Sequence, residues 1–343
     1  MTTKTLILGG TRFIGPAVVC RLRAHNCDVT LFHRGQTGTE LFPELTHIIG
    51  DREQLAQYRP QFESMSLDVV IDMAPLSEAH AHRVIDTFAG IAQRIVTISS
   101  CDVYQAYGKL IGIEDGPPGE LPLTETSPLR TKHFPYRGQG ERYYDYEKIL
   151  VERATVESED PRGTALRLPM VYGPLDYQHR LWPYLKRMRD RRPYIVLESG
   201  QADWRVARAY VEDVAEAIAL AALDDTAAGT IYNVCETECY AEREWVECIA
   251  RAIQWNGGVI TVDAGQCPEL IDEQFNPQHH LIVSSDRIRS ELSYREVVDP
   301  KEALRTTIDW ELDNPPEPDP VSEADYAKED AAVARLGVGG RDR

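Results

Sequence analysis

No stretch of this 343-residue chain approaches the roughly 20 consecutive apolar residues of a membrane-spanning helix, so a helical membrane protein is not expected. Positive charge is also short: 37 Lys and Arg face 55 Asp and Glu, a formal charge of −18. That field repels phosphate backbones and anionic bilayers, so neither nucleic acid nor membrane is an expected partner. The start, MTTKTLILGG, runs directly into an apolar strand with no leader-like hydrophobic region, which points to the cytoplasm. The cysteines number seven (Cys20, Cys27, Cys101, Cys235, Cys239, Cys248, Cys267), without the spacing of a disulfide framework or zinc knuckle, and are expected as reduced thiols. His80 with His82, and His279 with His280, lack a surrounding ligand set, so no metal is expected. No internal repeat is visible.

Hydrophobic residues make up 43% and charged residues 27%, a composition that folds. The length exceeds what one core organises and suggests a large domain with an appended lobe. Short apolar runs (Thr5 to Leu8, Val29 to Phe32, Ile48 to Ile49, Val69 to Ile71, Ile95 to Ile98, Ala165 to Leu168) alternate with helix-period segments (Ile14 to Leu22, Ser77 to Ala92, Glu141 to Thr155). This rhythm predicts a doubly wound parallel sheet of Rossmann type over 1–175. A smaller mixed α/β substrate lobe is expected over 176–313, with segments returning to the first domain. Its elements are a helix from Leu181 to Arg189, a strand from Tyr194 to Leu197 and a helix near Glu212, with Asp213 as its N-cap. Residues 314–343 read as a Pro-rich linker and polar tail, helical around Glu323 to Leu336.

The first strand is followed by Gly9-Gly10-Thr11-Arg12-Phe13-Ile14-Gly15 and a helix, the arrangement in which backbone N–H groups and a helix dipole meet a pyrophosphate. The second strand ends in His33-Arg34 where an NAD site would carry an acid; Arg34 with Arg12 suits the 2′-phosphate of NADP. The fifth strand ends in Ser99-Ser100-Cys101-Asp102, and Tyr144 stands four residues before Lys148, one turn away on a helix face. A neighbouring ammonium draws a phenol toward neutral pH, and Ser100 can donate a hydrogen bond to a reacting oxygen.

GGTRFIG, SSCDVY, YDYEK, RLPMVYGP and YVEDVAEAI occur in an order that resembles the extended short-chain dehydrogenase/reductases, the NAD-dependent epimerase/dehydratase group, over about residues 4–313. The resemblance implies a Rossmann domain, a homodimer, and Ser-Tyr-Lys chemistry on a carbinol or carbonyl carbon. Ser100 would be the catalytic hydroxyl, Tyr144 the acid/base and Lys148 the residue that tunes it. With the turn residues, His33, Arg34, Asp51, Arg52, Met73, Ala74, Pro75, Ser99, Pro169 and Val171 would line the NAD(P) site, and the two arginines favour NADP. Asp102 is a candidate second base beside a transient ketone; its competing role is to stabilise a turn.

The chain departs from sugar-nucleotide dehydratases at Cys101-Asp102, and has Met170 where many members place a substrate-binding Asn. Arg205 and Arg208 are candidates for a substrate diphosphate, Arg180 for the facing wall, and Cys101 and Met170 for the substrate pocket. Between Ser100 and Tyr144 lie Arg130, Lys132, His133 and Arg137, with Arg142, which suggest a cationic lid over an anionic small-molecule substrate. The expected activity is redox epimerisation or dehydration of a sugar, nucleotide-linked or otherwise anionic. The alternatives are an NADP-dependent reductase of dihydroflavonol-reductase type and a non-catalytic relative of chloroplast stem-loop RNA-binding proteins.

Overall fold

The computed structural model describes residues 2–38 and 40–336, so 337–343 of the expected tail lie outside the described residues. The chain begins β1 (Lys4–Leu8), α1 (Ile14–Ala24), β2 (Asp28–His33), β3 (Thr46–Ile49), α2 (Arg59–Glu63), β4 (Val69–Asp72), α3 (Glu78–Phe88), β5 (Arg94–Ser100), α4 (Gln105–Leu110). It continues α5 (Lys148–Val156), β6 (Arg162–Leu168), β7 (Met170–Tyr172), α6 (Trp182–Arg189), β8 (Tyr194–Glu198), α7 (Ser199–Asp203), β9 (Arg208–Tyr210), α8 (Val211–Leu223). The last elements are β10 (Ile231–Asn233), α9 (Glu242–Ala252), β11 (Gly258–Val262), α10 (Asp286–Glu291), α11 (Pro300–Asp313) and α12 (Glu323–Arg335).

Seven strands pair in parallel in the order β10-β6-β5-β4-β1-β2-β3. Successive strand residues face opposite sides, which sorts the core into two layers. Ile7, Leu31 and Ile71 join Val18, Val19 and Leu22 of α1 and Val214 and Ile218 of α8. Leu6, Leu8 and Val70 join Phe62 of α2 and Val84 and Phe88 of α3. The sheet is therefore covered on both faces, the doubly wound Rossmann-type arrangement. Its direction of winding reverses between β1 and β4, which opens a crevice at the carboxyl ends of these strands.

Two short parallel pairs, β7 with β9 and β8 with β11, lie outside the main sheet. The segment read as a Pro-rich linker and polar tail carries the expected helix as α12 and is fastened to the lobe: Arg187 Nε donates to Glu329 (2.6 Å), Tyr326 to Asp190 (2.7 Å), and Trp182 Nε1 to Asp319 (2.9 Å). Tyr326, Ala332 and Val333 of α12 are buried.

Two local expectations are corrected. Asp213 is not a cap: α8 begins at Val211, and the Asp213 carboxylate accepts from the backbone N–H groups of Val297 and Val298 (2.7 and 3.2 Å), tying the C-terminal segment to α8. The helix expected from Glu141 begins only at Lys148, after an isolated 3-10 turn at Glu141–Tyr143. Glu147 is the reason. Its backbone is extended (φ −157°, ψ 99°), its carboxylate caps Ile149 N–H, and the same side chain is held in a fully buried ion pair with Arg130.

A second buried pair joins the sheet to α5. Arg167 donates to both Glu152 oxygens (2.9 and 2.8 Å) and to the Tyr104 hydroxyl (3.0 Å), while Ser99 Oγ donates to Glu152 (2.5 Å). Removing one partner strands a charge in the interior. Arg167→Met should therefore lower unfolding free energy by about 3–5 kcal/mol, read from the urea midpoint at constant m-value.

Candidate active site

The crevice is floored by the glycine turn. Gly9 and Gly10 adopt φ of 102° and 86°, and a Cβ on Gly15 would stand 2.4 Å from the Gly10 backbone, so the turn can close onto α1 only with glycine there. Phe13 precedes α1 with no side-chain cap, and no acid occupies its first turn; Gly15 N–H is taken by the Arg12 carbonyl (2.9 Å) and Pro16 has none, so the Ile14 N–H and the positive dipole are what the turn offers an anion. This cradle fits a dinucleotide pyrophosphate. Thr11 meets Thr37 across the β2–β3 loop (3.4 Å), and Arg12 stacks on the ring of Tyr177 (4.9 Å).

At the ends of β2, β3 and β4 the predicted residues divide. Gly35 N–H donates to His33 Nδ1 (3.1 Å), which places the His33 proton on Nε2 toward His47 Nδ1 (2.8 Å) and the His47 proton toward the Phe42 carbonyl (3.0 Å). Buried and with both ring nitrogens engaged, His33 serves the loop that flanks the glycine turn; Arg34 beside it is exposed. Asp51 caps the following turn through Glu53 N–H (3.0 Å). Arg52 grips both oxygens of buried Asp72 (3.1 and 2.8 Å) and donates to the Ala74 carbonyl (2.7 Å), which shapes the segment Met73-Ala74-Pro75 at the crevice.

Across the crevice, Ser100 ends β5 and its Oγ accepts from Asp102 N–H (3.2 Å), so the hydroxyl and the carboxylate share one turn. Asp102 is buried and burial raises its carboxyl above the usual range. Oδ2 accepts from Tyr146 (2.7 Å) and Tyr136 (3.1 Å), whereas buried Oδ1 has no partner. Lys148 is buried and donates to the carbonyls of Pro75 (2.7 Å) and Ile98 (2.8 Å), joining β4 and β5; burial brings its ammonium down to about 8. The three predicted groups Ser100, Asp102 and Lys148 thus converge. Tyr144 stands apart: it is 55% exposed, and its ring lies under the Arg137 guanidinium (4.7 Å).

The phenol at the centre belongs to Tyr146, which the pattern Tyr-x-x-x-Lys passes over. The signal available in the sequence was only that Tyr143, Tyr144 and Tyr146 crowd one segment. Arg130 is not a lid cation: 3% exposed, it donates to the Asp102 carbonyl (2.5 Å) and to Glu147 (2.9 and 3.3 Å). Lys132, His133, Arg137 and Arg142 remain exposed. Among the residues proposed for substrate, Cys101 is buried against the Arg167 carbonyl, and Arg208 is paired with Glu242 (2.5 Å) over the Trp245 ring. Arg180 is paired with Asp176 (2.7 Å), and Arg205 with Glu244 (3.1 Å). Met170 and Pro169 are half-buried; Val171 and Ser99 are interior.

A family model described as the NAD dependent epimerase/dehydratase family matches residues 5–235, more than half of the chain. The chain belongs to that family. The family is described as NAD dependent. The Arabidopsis thaliana protein "Chloroplast stem-loop binding protein of 41 kDa b" is 25% identical over 244 residues, which are 67% of this chain and 58% of that protein's length. A UDP-glucose 4-epimerase of Stenotrophomonas maltophila, with NAD and formylated UDP-arabinopyranose, superposes with a TM-score of 0.69 at 16% identity, over 91% of this chain and 98% of that one. A dTDP-glucose 4,6-dehydratase of Bacillus anthracis with NAD gives 0.67 at 15% identity, over 91% and 97%. At such identities the likeness is one of fold. No described helix is long and apolar enough to cross a membrane.

Two outcomes follow from this geometry. Gly15→Ala should abolish dinucleotide binding measured by fluorescence titration of NADH. Burial, and then His47, lower the His33 pKa, so the unfolded chain takes up a proton first. That stability is complete above the unfolded value of about 6.5 and is lost as pH falls through the lowered folded value. The urea midpoint should drop between pH 7.5 and 5, and drop less in His33→Phe.

Proposed function

We propose that this enzyme epimerises or dehydrates a sugar, nucleotide-linked or otherwise anionic, through a transient keto intermediate. The observation that carries the reading is the convergence of Ser100, Asp102, Lys148 and a buried phenol on the crevice beside the glycine turn. A bound nicotinamide dinucleotide supplies a reversible hydride acceptor. Ser100 orients the reacting oxygen, and the Lys148 ammonium favours negative charge developing there and has an N–H left for the nicotinamide ribose. A phenol from the turn before α5 moves the hydroxyl proton, and Asp102 is the second proton-transfer group of the site. The exposed Arg137 and partly exposed Arg205 meet the substrate's anionic group.

Arg34 is exposed and makes no ion pair among the described residues, which supports NADP as the dinucleotide. The family resemblance adds a homodimer to this reading. A stem-loop partner, as in the name of the Arabidopsis relative, is disfavoured by the charge of −18.

Denaturing freshly purified protein should release near-stoichiometric NAD+ or NADP+, identified by mass spectrometry. Mixing with UDP-, GDP- and dTDP-sugars should give transient absorbance at 340 nm, slowed roughly 10²- to 10³-fold in Ser100→Ala. An empty protein that consumes NADPH in step with a carbonyl substrate would instead be a reductase.

A further inference from the structure

We propose that Tyr146, and not Tyr144, transfers the substrate proton in this site, and that it does so as a relay to Asp102, whose carboxylate is the final acceptor. The inference rests on the redox reading above and names the proton path within it. Three observations carry it. The Tyr146 hydroxyl donates to Asp102 Oδ2 (2.7 Å), and Ser100 caps the same turn, so hydroxyl, phenol and carboxylate stand together. Asp102 Oδ1 is buried without a partner, a vacancy for one proton or for a donor brought by the substrate. Tyr144 is exposed, its hydroxyl makes no hydrogen bond among the described residues, and its backbone lies outside α5, so it is not set one turn from Lys148.

The surroundings explain why a relay replaces a phenolate. Lys148 Nζ lies 5.7 Å from the Tyr146 ring centroid but directs two donors to the Pro75 and Ile98 carbonyls. Burial and the Asp102 charge push the Tyr146 phenol well above its ordinary range, so it stays protonated at neutral pH. Asp102 is faced by Tyr146 from the turn before α5, Lys148 from α5, Tyr136 and Arg130 from the α4–α5 connection, and through Tyr136 by Tyr107 of α4 (2.7 Å). Burial raises its carboxyl toward the working range while the cations and phenols keep it a usable base. In the forward step the substrate O–H proton passes to Tyr146 Oη and the Tyr146 proton passes to Asp102 Oδ2. The substrate C–H leaves as hydride to the dinucleotide, and the C=O forms. The reverse step returns both, and Tyr146 is neutral at either end.

The test compares Tyr146→Phe, Asp102→Asn and Tyr144→Phe in the full chain loaded with NAD+ and, separately, with NADP+, with UDP-glucose, dTDP-glucose and UDP-N-acetylglucosamine as probes. Reduction at 340 nm should fall roughly 10²- to 10⁴-fold in the first two and stay within threefold in Tyr144→Phe, with NAD+ affinity unchanged in all three. The wild-type rate should rise with pH through one ionisation, the one removed by Asp102→Asn, and fall again as Lys148 loses its proton near pH 8. A collapse in Tyr144→Phe with activity kept in Tyr146→Phe overturns the proposal. A second readout needs no substrate: in protein labelled with ¹³C at tyrosine Cζ, the Tyr146 signal should follow the Asp102 titration and lose that shift in Asp102→Asn. A Tyr146 signal that ignores the Asp102 titration overturns the relay by itself. If no probe sugar reduces either dinucleotide in wild type, the substrate reading fails, and the NMR titration alone decides the proton path. Should Tyr146→Phe not fold, Asp102→Asn carries the comparison through its rate and its missing ionisation.

Discussion

The candidate site depends on the buried ion pair between Arg130 and Glu147. Both side chains are withdrawn from water, and the guanidinium also reaches the Asp102 carbonyl, so one interaction ties the turn after β5 to the start of α5. Two buried charges are tolerable only with their hydrogen bonds filled. Here the Phe134 N–H, the Ile149 N–H and the Arg130 fork fill those of Glu147. The consequence is local and chemical. The chain is extended at Glu147, the helix starts one residue later, and the phenol delivered to Asp102 comes from Tyr146.

The same use of buried pairs recurs around the crevice. Arg52 is held by Asp72, Arg167 by Glu152, and Arg208 by Glu242, each joining two elements that meet near the carboxyl ends of the sheet. Cations that a linear reading offers to phosphates are thereby committed to architecture. In a chain of charge −18, acids are plentiful enough that interior arginines find carboxylates first. The arginines left on the surface, Arg34 and Arg137 among them, are the ones whose charge a ligand can meet.

Much of the fold was legible because it rests on periodicities. Apolar runs such as Thr5 to Leu8 and Ile95 to Ile98 can be satisfied only as strands buried on both faces, and the glycine turn announces its own backbone conformation through Gly9, Gly10 and Gly15. The start of α5 was not legible. Helical spacing from Glu141 onward is real, but the partner that withdraws Glu147 stands 17 residues earlier in an irregular connection. Asp213 was misread for a similar reason, since its acceptors' donors, Val297 and Val298, lie more than 80 residues away.

By itself the sequence determined the doubly wound sheet and the glycine turn, because each follows from strand order and local spacing, while the grouping of Ser100 and Lys148 was what the family resemblance implied. Only the tertiary structure decided which tyrosine joins them, which arginines stay free and where His33 points. These are choices among chemically equivalent neighbours. They are settled by burial, where an unpaired charge or hydroxyl is costly and a partner distant in the chain decides the outcome.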